Sequence, residues 1–444
     1  MRDSIAEFIG GLFLYFPFNK SAFWITHLFF IQITLTESLW FHYLRAACRL
    51  LSGNGTWTPP PFSCHFGAIF ICHCLLTAGE RLDASQDLII ARPEGLYCPP
   101  GDFYIDPWRP VGRAVITHAH ADHARFGHAS YLAADASVGV LLSRLPGISL
   151  QGVPYGERLA VNGVSISLHP AGHVLGSAQV RVEHAGRVWV ASGDYKVEPD
   201  PTCAPFEPVR CDTFITESTF GLPIYRWEPP RAVFDGINSW WRHNAAEGRA
   251  SVLFCYSFGK AQRILASVDP AIGPIFCHGA VEPLNRAYVN AGVNLPVTRP
   301  VSAIAAKDKT AFKGALIIAP PSAQGSTWMR RFGDYSDAFA SGWMRLRGTR
   351  RRRGLDRGFV LSDHADWPGL QMAIGATGAQ RVIVTHGQIE PMVRWLREQG
   401  LEAGAFTTEY GDDTMEADET ENGQASPSAQ QAVEPAPPPE ADSR

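Results

Sequence analysis

The sequence predicts an α/β protein with two domains. Short apolar runs of strand length alternate with segments of helical length from about residue 89 to about residue 408. The chain has 444 residues, of which 45% are hydrophobic, so it is long enough to bury more than one core. One apolar run ends directly in a cluster of histidines, which places a chemical site at a strand end.

The predicted elements follow one another along the body of the chain. The predicted strands are Ala114–Ile116, Val164–Leu168, Gln179–Val182, Val188–Ala191, Phe214–Thr216, Val252–Tyr256, Pro274–Cys277, Ala315–Ala319, Phe359–Leu361 and Val382–Thr385. The predicted helices are Ala134–Leu145, Arg231–Asn244, Lys260–Ser267 and Pro391–Gln399. Between two of the strands, Glu183–Arg187 has a glycine at its turn and predicts a hairpin loop.

Four metal-binding groups follow the first of these strands. His118 and His120 alternate, so an extended segment can point both side chains the same way. Asp122 and His123 come next, where a helix can begin. This set can serve two neighbouring metal ions. The alternative is a solvated, histidine-rich turn, which four such groups in six positions disfavour.

Three further residues extend the candidate site. His173 lies in Pro170–Ser177, Asp194 ends the run that begins at Arg187, and Asp106 precedes the histidine cluster. Each of them alone is as compatible with an ordinary turn as with a metal ligand. Their order and their positions at strand ends favour a single metal site.

These residues resemble the motifs of the metallo-β-lactamase superfamily. Thr213–Gly221, Leu361–Asp366 and Val382–Gly387 resemble motifs A, B and C of its β-CASP nuclease group, the last in the histidine form. Glu94–Tyr104, Ser341–Arg345 and the arginine run before motif B are similar to phrases of the bacterial ligase-associated DNA exonucleases. Those proteins are related to the eukaryotic messenger-RNA 3′-end processing endonuclease.

The resemblance implies a fold and a division into domains. The fold is a four-layer αββα metallo-β-lactamase core, interrupted after motif A by an inserted α/β β-CASP cap. The implied segments are the first part of the core at 85–221, the cap at 222–354 and the second part of the core at 355–410. Residues 1–84 are an unassigned hydrophobic extension, for which we expect a mis-called reading frame with the true start near Leu88 or a poorly folded extension, and residues 411–444 are expected to form a disordered acidic tail.

The resemblance also implies the site and its cofactors, which are two Zn²⁺ ions with Mn²⁺ as the alternative. The implied ligands are His118, His120 and His173 for one ion, Asp122, His123 and His386 for the other, and Asp194 between them. The residues expected to act in catalysis are Asp122, Asp194, Glu217 and His364. Of these, His364 is the candidate general acid, polarised by Glu217. Asp106 is expected to orient a ligand from behind.

The implied function is a zinc-dependent phosphodiesterase that acts as a DNA exonuclease in end processing and repair, through a metal-bridging hydroxide. Its substrates would be single-stranded DNA or duplex ends, and its partners an ATP-dependent DNA ligase and a helicase. The alternative is an RNA-processing β-CASP ribonuclease. A small-molecule hydrolase is disfavoured, because an acyl substrate needs neither a cap nor a polyanion track.

Charge supports a nucleic-acid substrate. The net charge is −4, but Glu409–Arg444 carries ten acidic residues and one basic residue, which leaves 38 basic against 33 acidic residues in the remainder. The residues predicted to contact nucleic acid are Lys260, Arg345, Arg347, Arg350, Arg351, Arg352 and Arg353. The alternative for the arginines is a solvated face.

Cysteine spacing and the termini complete the prediction. Nine cysteines show no disulfide spacing and predict reduced thiols in a cytoplasmic protein. Apolar runs in residues 1–84 are short and interrupted by polar residues, so they predict neither a secretory signal nor a firm membrane association. The acidic tail has too little apolar surface to fold.

Overall fold

The computed structural model describes residues 87–346, 348 and 354–410. The predictions for residues 1–84, for the tail at 411–444 and for Arg347 and Arg350–Arg353 lie outside the described residues. All described residues belong to one compact unit, Asp83–Arg444.

Short strands dominate the described chain. In order they are β1 Ile90–Arg92, β2 Gly95–Cys98, β3 Phe103–Ile105, β4 Arg113–Val115, β5 Ser130–Ala134, β6 Leu150–Val153, β7 Leu159–Val161, β8 Val164–Pro170, β9 Ala178–His184, β10 Arg187–Ala191, β11 Thr213–Ser218, β12 Ala250–Phe254, β13 Ile275–Cys277, β14 Arg299–Pro300, β15 Leu316–Ala319, β16 Tyr335–Ala340, β17 Arg357–Phe359, β18 Arg381–Gly387 and β19 Glu402–Ala405.

Six α-helices accompany these strands among the residues that the structure describes. They are α1 Val138–Arg144, α2 Pro230–Ala246, α3 Lys260–Leu265, α4 Glu282–Asn290, α5 Trp367–Thr377 and α6 Ile389–Glu398. Short 3₁₀ turns occur at Asp135–Ser137, Val301–Ala303, Thr310–Phe312, Pro321–Ala323, Thr327–Arg331 and Gly342–Arg345. In the described part of the chain, none of the helices has the length and apolar character needed to cross a bilayer.

Two sheets face each other across a shared core. The first has the order β1-β2-β3-β4-β5-β6, and the second has the order β19-β18-β11-β10-β9-β8-β7. Apolar side chains from both sheets, such as Val115 from β4 and Val180 from β9, belong to one buried cluster. The inward faces of the two sheets are therefore buried against each other. This burial of apolar surface is the main force that holds the sheets together.

Helices cover the outer faces of these sheets. Val140 and Leu141 of α1 pack on Tyr131 and neighbouring residues of the first sheet. On the second sheet, Leu370 of α5 and Leu396 of α6 pack against β11 and β18. The packing order is therefore helix, sheet, sheet, helix.

A third sheet forms within a long excursion from the second. Strands β11 and β18 are parallel neighbours with Phe214 opposite Val382, yet all of the third sheet lies between them in sequence. Its order is β14-β13-β15-β12-β16-β17, and every pair is parallel. Helix α2 packs against this third sheet and buries Ile237 and Trp241 there. The chain thus leaves the second sheet, builds a separate sheet and returns.

The predicted elements and the hairpin are confirmed, with shifts of up to four residues at their ends. The helix start suggested at Asp122–His123 was wrong. The chain forms a turn there, in which the backbone N–H groups of His123 and Ala124 donate to the carbonyl of His120 at 3.2 and 2.8 Å. A turn keeps neighbouring side chains on one side of the backbone without the regular rotation of a helix.

Helix α5 was not predicted, because Pro and Gly residues interrupt its helical pattern. It opens with Trp367-Pro368-Gly369 and contains Gly375. A local cap compensates, since the carboxylate of Asp366 accepts a hydrogen bond from the backbone N–H of Gly369 at 2.9 Å. The last residue of the motif B phrase therefore starts a helix.

The hairpin between β9 and β10 allows a stability prediction. Ala185 and Gly186 both have positive φ values, 50° and 77°, and both are exposed. Alanine is strained in this conformation, whereas asparagine tolerates it. Ala185→Asn is therefore expected to raise the free energy of unfolding by about 0.5–1 kcal/mol. Urea denaturation measures the change, and an unchanged or lower midpoint would contradict it.

Candidate metal centre

Three of the candidate ligands lie at the ends of strands of the second sheet that run in the same direction, and the others follow a strand of the first sheet. The histidine cluster follows β4, His173 follows β8, Asp194 follows β10 and His386 lies near the end of β18. Because parallel strands end at a common edge, residues far apart in sequence meet there. The structure brings together His118, His120, His123, His173, Asp194 and His386, all of them buried.

Asp194 stands at the centre of this group. Its Oδ2 lies 3.4 Å from Nε2 of His118 and 3.5 Å from Nε2 of His123. His173 Nε2 is 3.8 Å from the same oxygen, and His386 Nε2 is 3.2 Å from Oδ1. One carboxylate therefore faces four imidazoles.

His120 and His173 form a close pair on one side. His120 Nδ1 and His173 Nε2 are 3.0 Å apart. The outer nitrogens contact main-chain oxygens: His173 Nδ1 donates to the carbonyl of Asp363 at 2.7 Å, and His120 Nε2 lies 3.4 Å from the carbonyl of Phe258. An outer hydrogen bond fixes the ring and leaves the inner nitrogen as the electron-pair donor.

Asp106 lies behind the other side of the group. Its Oδ2 lies 2.8 Å from Nδ1 of His123 and accepts a hydrogen bond from the Thr117 hydroxyl, and its Oδ1 accepts one from the Thr117 backbone N–H. The Thr117 hydroxyl also lies 3.0 Å from Nδ1 of His118. The carboxylate therefore acts on two imidazoles, one directly and one through Thr117.

Tyr410 closes the same side by ring packing. Its ring stacks on His123 with centroids 4.6 Å apart and an interplanar angle of 13°, and it meets His386 edge-on at 5.6 Å. His386 Nδ1 lies 2.9 Å from the Thr385 hydroxyl. Buried aromatic contacts of this kind restrict ring rotation and keep the inner nitrogens aimed at the centre.

The electrostatics of the group favour positive charge at its centre. Burial lowers the pKa of His118 and His173 well below the usual range. Burial would also lower the pKa of His123, but the carboxylates of Asp122 and Asp194 outweigh it and raise that pKa to about 10. Burial would raise the pKa of Asp194, yet His123 and His386 hold it well below its usual range.

These residues fit a metal ion. The Nε2 atoms of His118 and His123 are buried and make no hydrogen bond. Buried polar atoms without partners are rare in folded proteins, because each one loses its bonds to water. Several such nitrogens around one carboxylate form the donor set that zinc prefers. A cation at this centre would satisfy them together.

Glu217 and His364 form a second pair beside the centre. His364 Nδ1 lies 2.9 Å from Glu217 Oε2 and 3.1 Å from Oε1, and both side chains are buried. The His364 ring lies 4.6 Å from the ring of His173. The structure thus places an imidazole held by a carboxylate next to the candidate metal ligands.

The remaining predicted residues occupy more varied places. Asp122 is partly exposed, and its Oδ2 lies 3.4 Å from Nε2 of His123. Lys260 is buried, with its ammonium 3.5 Å from Asp363 Oδ2 and over the ring of Tyr256. Held this way, it supports motif B rather than offering a free ammonium. Arg345 is exposed and donates to the carbonyl of Ile224 at 3.4 Å.

Sequence reasoning missed several residues near the site. Half-buried Trp227 donates its indole N–H to the carbonyl of His364 at 2.9 Å, and its ring meets Phe220 at 4.8 Å. Trp343 packs on the other side of Phe220 at 4.9 Å. The phrase Ser341–Arg345 was the one available signal, and no local pattern pointed to Tyr410 or Trp227.

This geometry defines a class of site. It is a buried cluster of imidazoles and carboxylates that can hold metal ions, and a histidine hydrogen-bonded to a carboxylate lies beside it. Such a site can activate water and can stabilise negative charge on a substrate oxygen. The site lies at the ends of β8, β10 and β18 of the second sheet, beside the turn that follows β4 of the first sheet.

Comparisons with known proteins agree with this class. No protein-family model matches the chain. A protein named Probable DNA ligase from Opitutus terrae is 32% identical over 316 residues, which cover 70% of this chain and 30% of that protein. Endoribonuclease YSH1 from Saccharomyces cerevisiae is 32% identical over 124 residues, 27% of this chain and 15% of that protein.

A third relative is the Cleavage and polyadenylation specificity factor subunit 3 of Dictyostelium discoideum, 29% identical over 125 residues, 27% of this chain and 16% of that protein. The chain therefore spans less than a third of the length of these relatives. The motif set and these matches show that the chain belongs to the β-CASP group of the metallo-β-lactamase superfamily, a group of metal-dependent nucleases.

Proposed function

We propose that this protein is a zinc-dependent phosphodiesterase that degrades DNA from its ends. The observation that carries the proposal is the convergence of five histidines around Asp194, with the Glu217–His364 pair beside them. His118, His120 and His173 would hold one ion, and Asp122, His123 and His386 the other, with Asp194 between them. Mn²⁺ is the alternative ion.

The fold that we propose is the four-layer αββα metallo-β-lactamase core with an inserted β-CASP cap. The helix, sheet, sheet, helix packing supports the core, and the all-parallel third sheet supports the cap. The proposed segments are 85–221 and 355–410 for the core and 222–354 for the cap. The pairing of β11 with β18 explains how a core split in sequence is continuous in space.

Bound zinc would supply Lewis acidity and a water molecule of lowered pKa. The chain's own residues have distinct tasks. The Asp106 and Thr117 hydrogen bonds fix the tautomers of His123 and His118, so that Nε2 faces the centre. Burial excludes bulk water, which strengthens each charge interaction within the site.

His364 would give the departing oxygen its proton. Glu217 contacts the Nδ1 edge of the ring, so the carboxylate sets the ring's orientation and compensates the imidazolium charge before transfer. The backbone N–H of His364 donates to the Ser362 hydroxyl at 3.1 Å, which holds the main chain of this residue in place. The pair is therefore rigid relative to the metal ligands.

DNA is the substrate that the comparisons favour. One relative, matched over 70% of this chain, is named as a probable DNA ligase. The similar segment is only 30% of that protein, so a ligase partner follows as part of the proposal. The matches to endoribonucleases favour RNA processing as the second candidate, but they cover 27% of the chain. A cytoplasmic location stays a prediction.

One digestion separates these candidates. End-labelled DNA and RNA of matched sequence, with free and blocked termini, are incubated with the zinc-loaded full-length protein. Ladder formation on DNA with free ends, and none after chelation, is the expected result. Preferential cleavage of RNA would establish the second candidate, and cleavage of neither nucleic acid would reject the proposed function.

The tryptophans beside His364 would bind the strand that enters the site. Trp227 and Trp343 are half-buried around Phe220, and exposed Arg345 lies two residues after Trp343. Aromatic faces next to a guanidinium group suit single-stranded nucleic acid, because the bases stack while the cation contacts a phosphate. Gly342 permits this arrangement, since a Cβ there would lie 2.5 Å from the Phe220 ring.

Trp343→Ala is therefore expected to weaken the binding of single-stranded DNA by roughly 10- to 100-fold, the effect of losing about one stacked base. Fluorescence anisotropy with a labelled oligonucleotide measures it. Trp395→Ala is the matched control, because Trp395 is also half-buried but packs on Trp367 of α5. Equal binding by the two variants would exclude the stacking role.

A further inference from the structure

A buried cluster of charged side chains lies behind the motif B loop. Lys260 and Arg263 come from α3, Asp363 comes from motif B, and Asp200 lies in the loop after β10. The four side chains are between 2% and 4% exposed. Charges are buried this deeply only when they are paired, so the cluster ties three chain segments together.

Arg263 makes most of the links. Its Nε lies 3.0 Å from Asp200 Oδ2, and its Nη1 donates to the carbonyl of Ser362 at 2.5 Å and lies 3.4 Å from Asp363 Oδ1. A planar guanidinium group reaches these acceptors at once, whereas an ammonium group is a single point charge. Arg263 therefore clamps the loop that carries His364.

The same loop contacts a candidate metal ligand. The carbonyl of Asp363 accepts the outer N–H of His173 at 2.7 Å. Just before α3, the carbonyl of Phe258 lies 3.4 Å from the outer nitrogen of His120. His120 and His173 are the pair whose inner nitrogens approach within 3.0 Å. The inserted chain thus touches the His120 ring through Phe258, and the motif B loop that Arg263 holds touches the His173 ring through Asp363.

We infer that Arg263 is a positioning residue for the metal centre, because it holds the Ser362–His364 loop against His173 and so couples the inserted segment to cation binding. This inference rests on the proposed function. Residues that orient metal ligands from behind typically change metal affinity by roughly 10- to 100-fold. An Arg263→Lys protein keeps the charge but cannot reach Asp200, Ser362 and Asp363 together.

Zinc affinity tests the inference without reference to catalysis. The full-length protein and its variants compete for Zn²⁺ with a chromophoric chelator. Arg263→Lys is expected to weaken the tightest zinc site by roughly 10- to 100-fold. Thermal unfolding of the metal-free proteins, measured in parallel, reports any loss of stability separately.

Arg249→Lys is the matched control. Arg249 is likewise an arginine of the inserted segment, although only partly buried, and it donates to the carbonyl of Tyr335 at 2.9 Å and pairs with Asp334, away from the metal centre. Its replacement should lower stability but leave zinc affinity within about two-fold. An equal loss of affinity in both variants would show a general effect of destabilisation and would overturn the inference.

A milder variant covers the case in which Arg263→Lys does not fold. Asp200→Asn keeps the side-chain oxygen that accepts from Thr202 but weakens the contact with Arg263 Nε. It should weaken zinc binding several-fold. Normal zinc affinity in this folded variant, and in Arg263→Lys where that protein folds, would overturn the inference and leave the proposed function standing. Absence of zinc binding by the wild-type protein would overturn both the inference and the proposed function.

Discussion

Asp194→Asn is expected to abolish nuclease activity, with a loss on the order of 10³-fold or more, because charge stabilisation by the metal centre is the largest catalytic contribution. The carboxylate of Asp194 faces four imidazoles at 3.2 to 3.8 Å. An amide of the same shape carries no negative charge, so it cannot balance a pair of cations.

Two measurements check this expectation. Elemental analysis should find less zinc bound per chain in Asp194→Asn, and digestion of end-labelled DNA should show no ladder. Asp212→Asn is a suitable control, because Asp212 accepts a backbone N–H from Val188 at 2.7 Å at the far end of β10 and faces no histidine of the centre. Full activity and full zinc content in Asp194→Asn would disprove the ligand assignment.

His364→Gln is expected to lower DNA cleavage by roughly 10²- to 10⁴-fold, the usual contribution of a general acid. The loss should depend on the leaving group. A deoxyribose oxygen needs a proton as it departs, whereas p-nitrophenolate leaves without one. Hydrolysis of bis(p-nitrophenyl) phosphate by His364→Gln should therefore fall less than about ten-fold.

The comparison of the two substrates decides the role of His364. If both rates fall equally, His364 binds phosphate and donates no proton. Glu217→Gln should show the same dependence on the leaving group to a smaller extent, since the ring remains but loses its charged partner. His243→Gln provides the control, because His243 is an exposed residue on α2 and should have no effect on either substrate.

Local patterns predicted much of the framework. Alternating apolar runs located most strands of the second and third sheets, since a strand buried on both faces is visible as a short hydrophobic segment. The strands β1, β2 and β3 were missed because each has only three or four residues and Gly or Pro residues lie nearby. Helix α5 was missed because a cap, rather than propensity, stabilises it.

The candidate ligands were visible in sequence for a related reason. A His or Asp residue directly after an apolar strand is a local signal. Each of the six residues that meet at the centre follows an apolar strand or lies near the end of one. The groups that orient these ligands left no local signal. His173 finds its acceptor 190 positions away at Asp363, and Tyr410 reaches His123 from the far end of the body.

What the sequence by itself determined is therefore the chemical type of the site and the order in which its ligands appear, because the side chains and the ends of strands are local properties. Only the tertiary structure decided which nitrogen of each imidazole faces the centre and which charged residue clamps motif B. Those choices depend on burial and on hydrogen bonds between segments that are distant in the chain, and such contacts exist only once the sheets have packed.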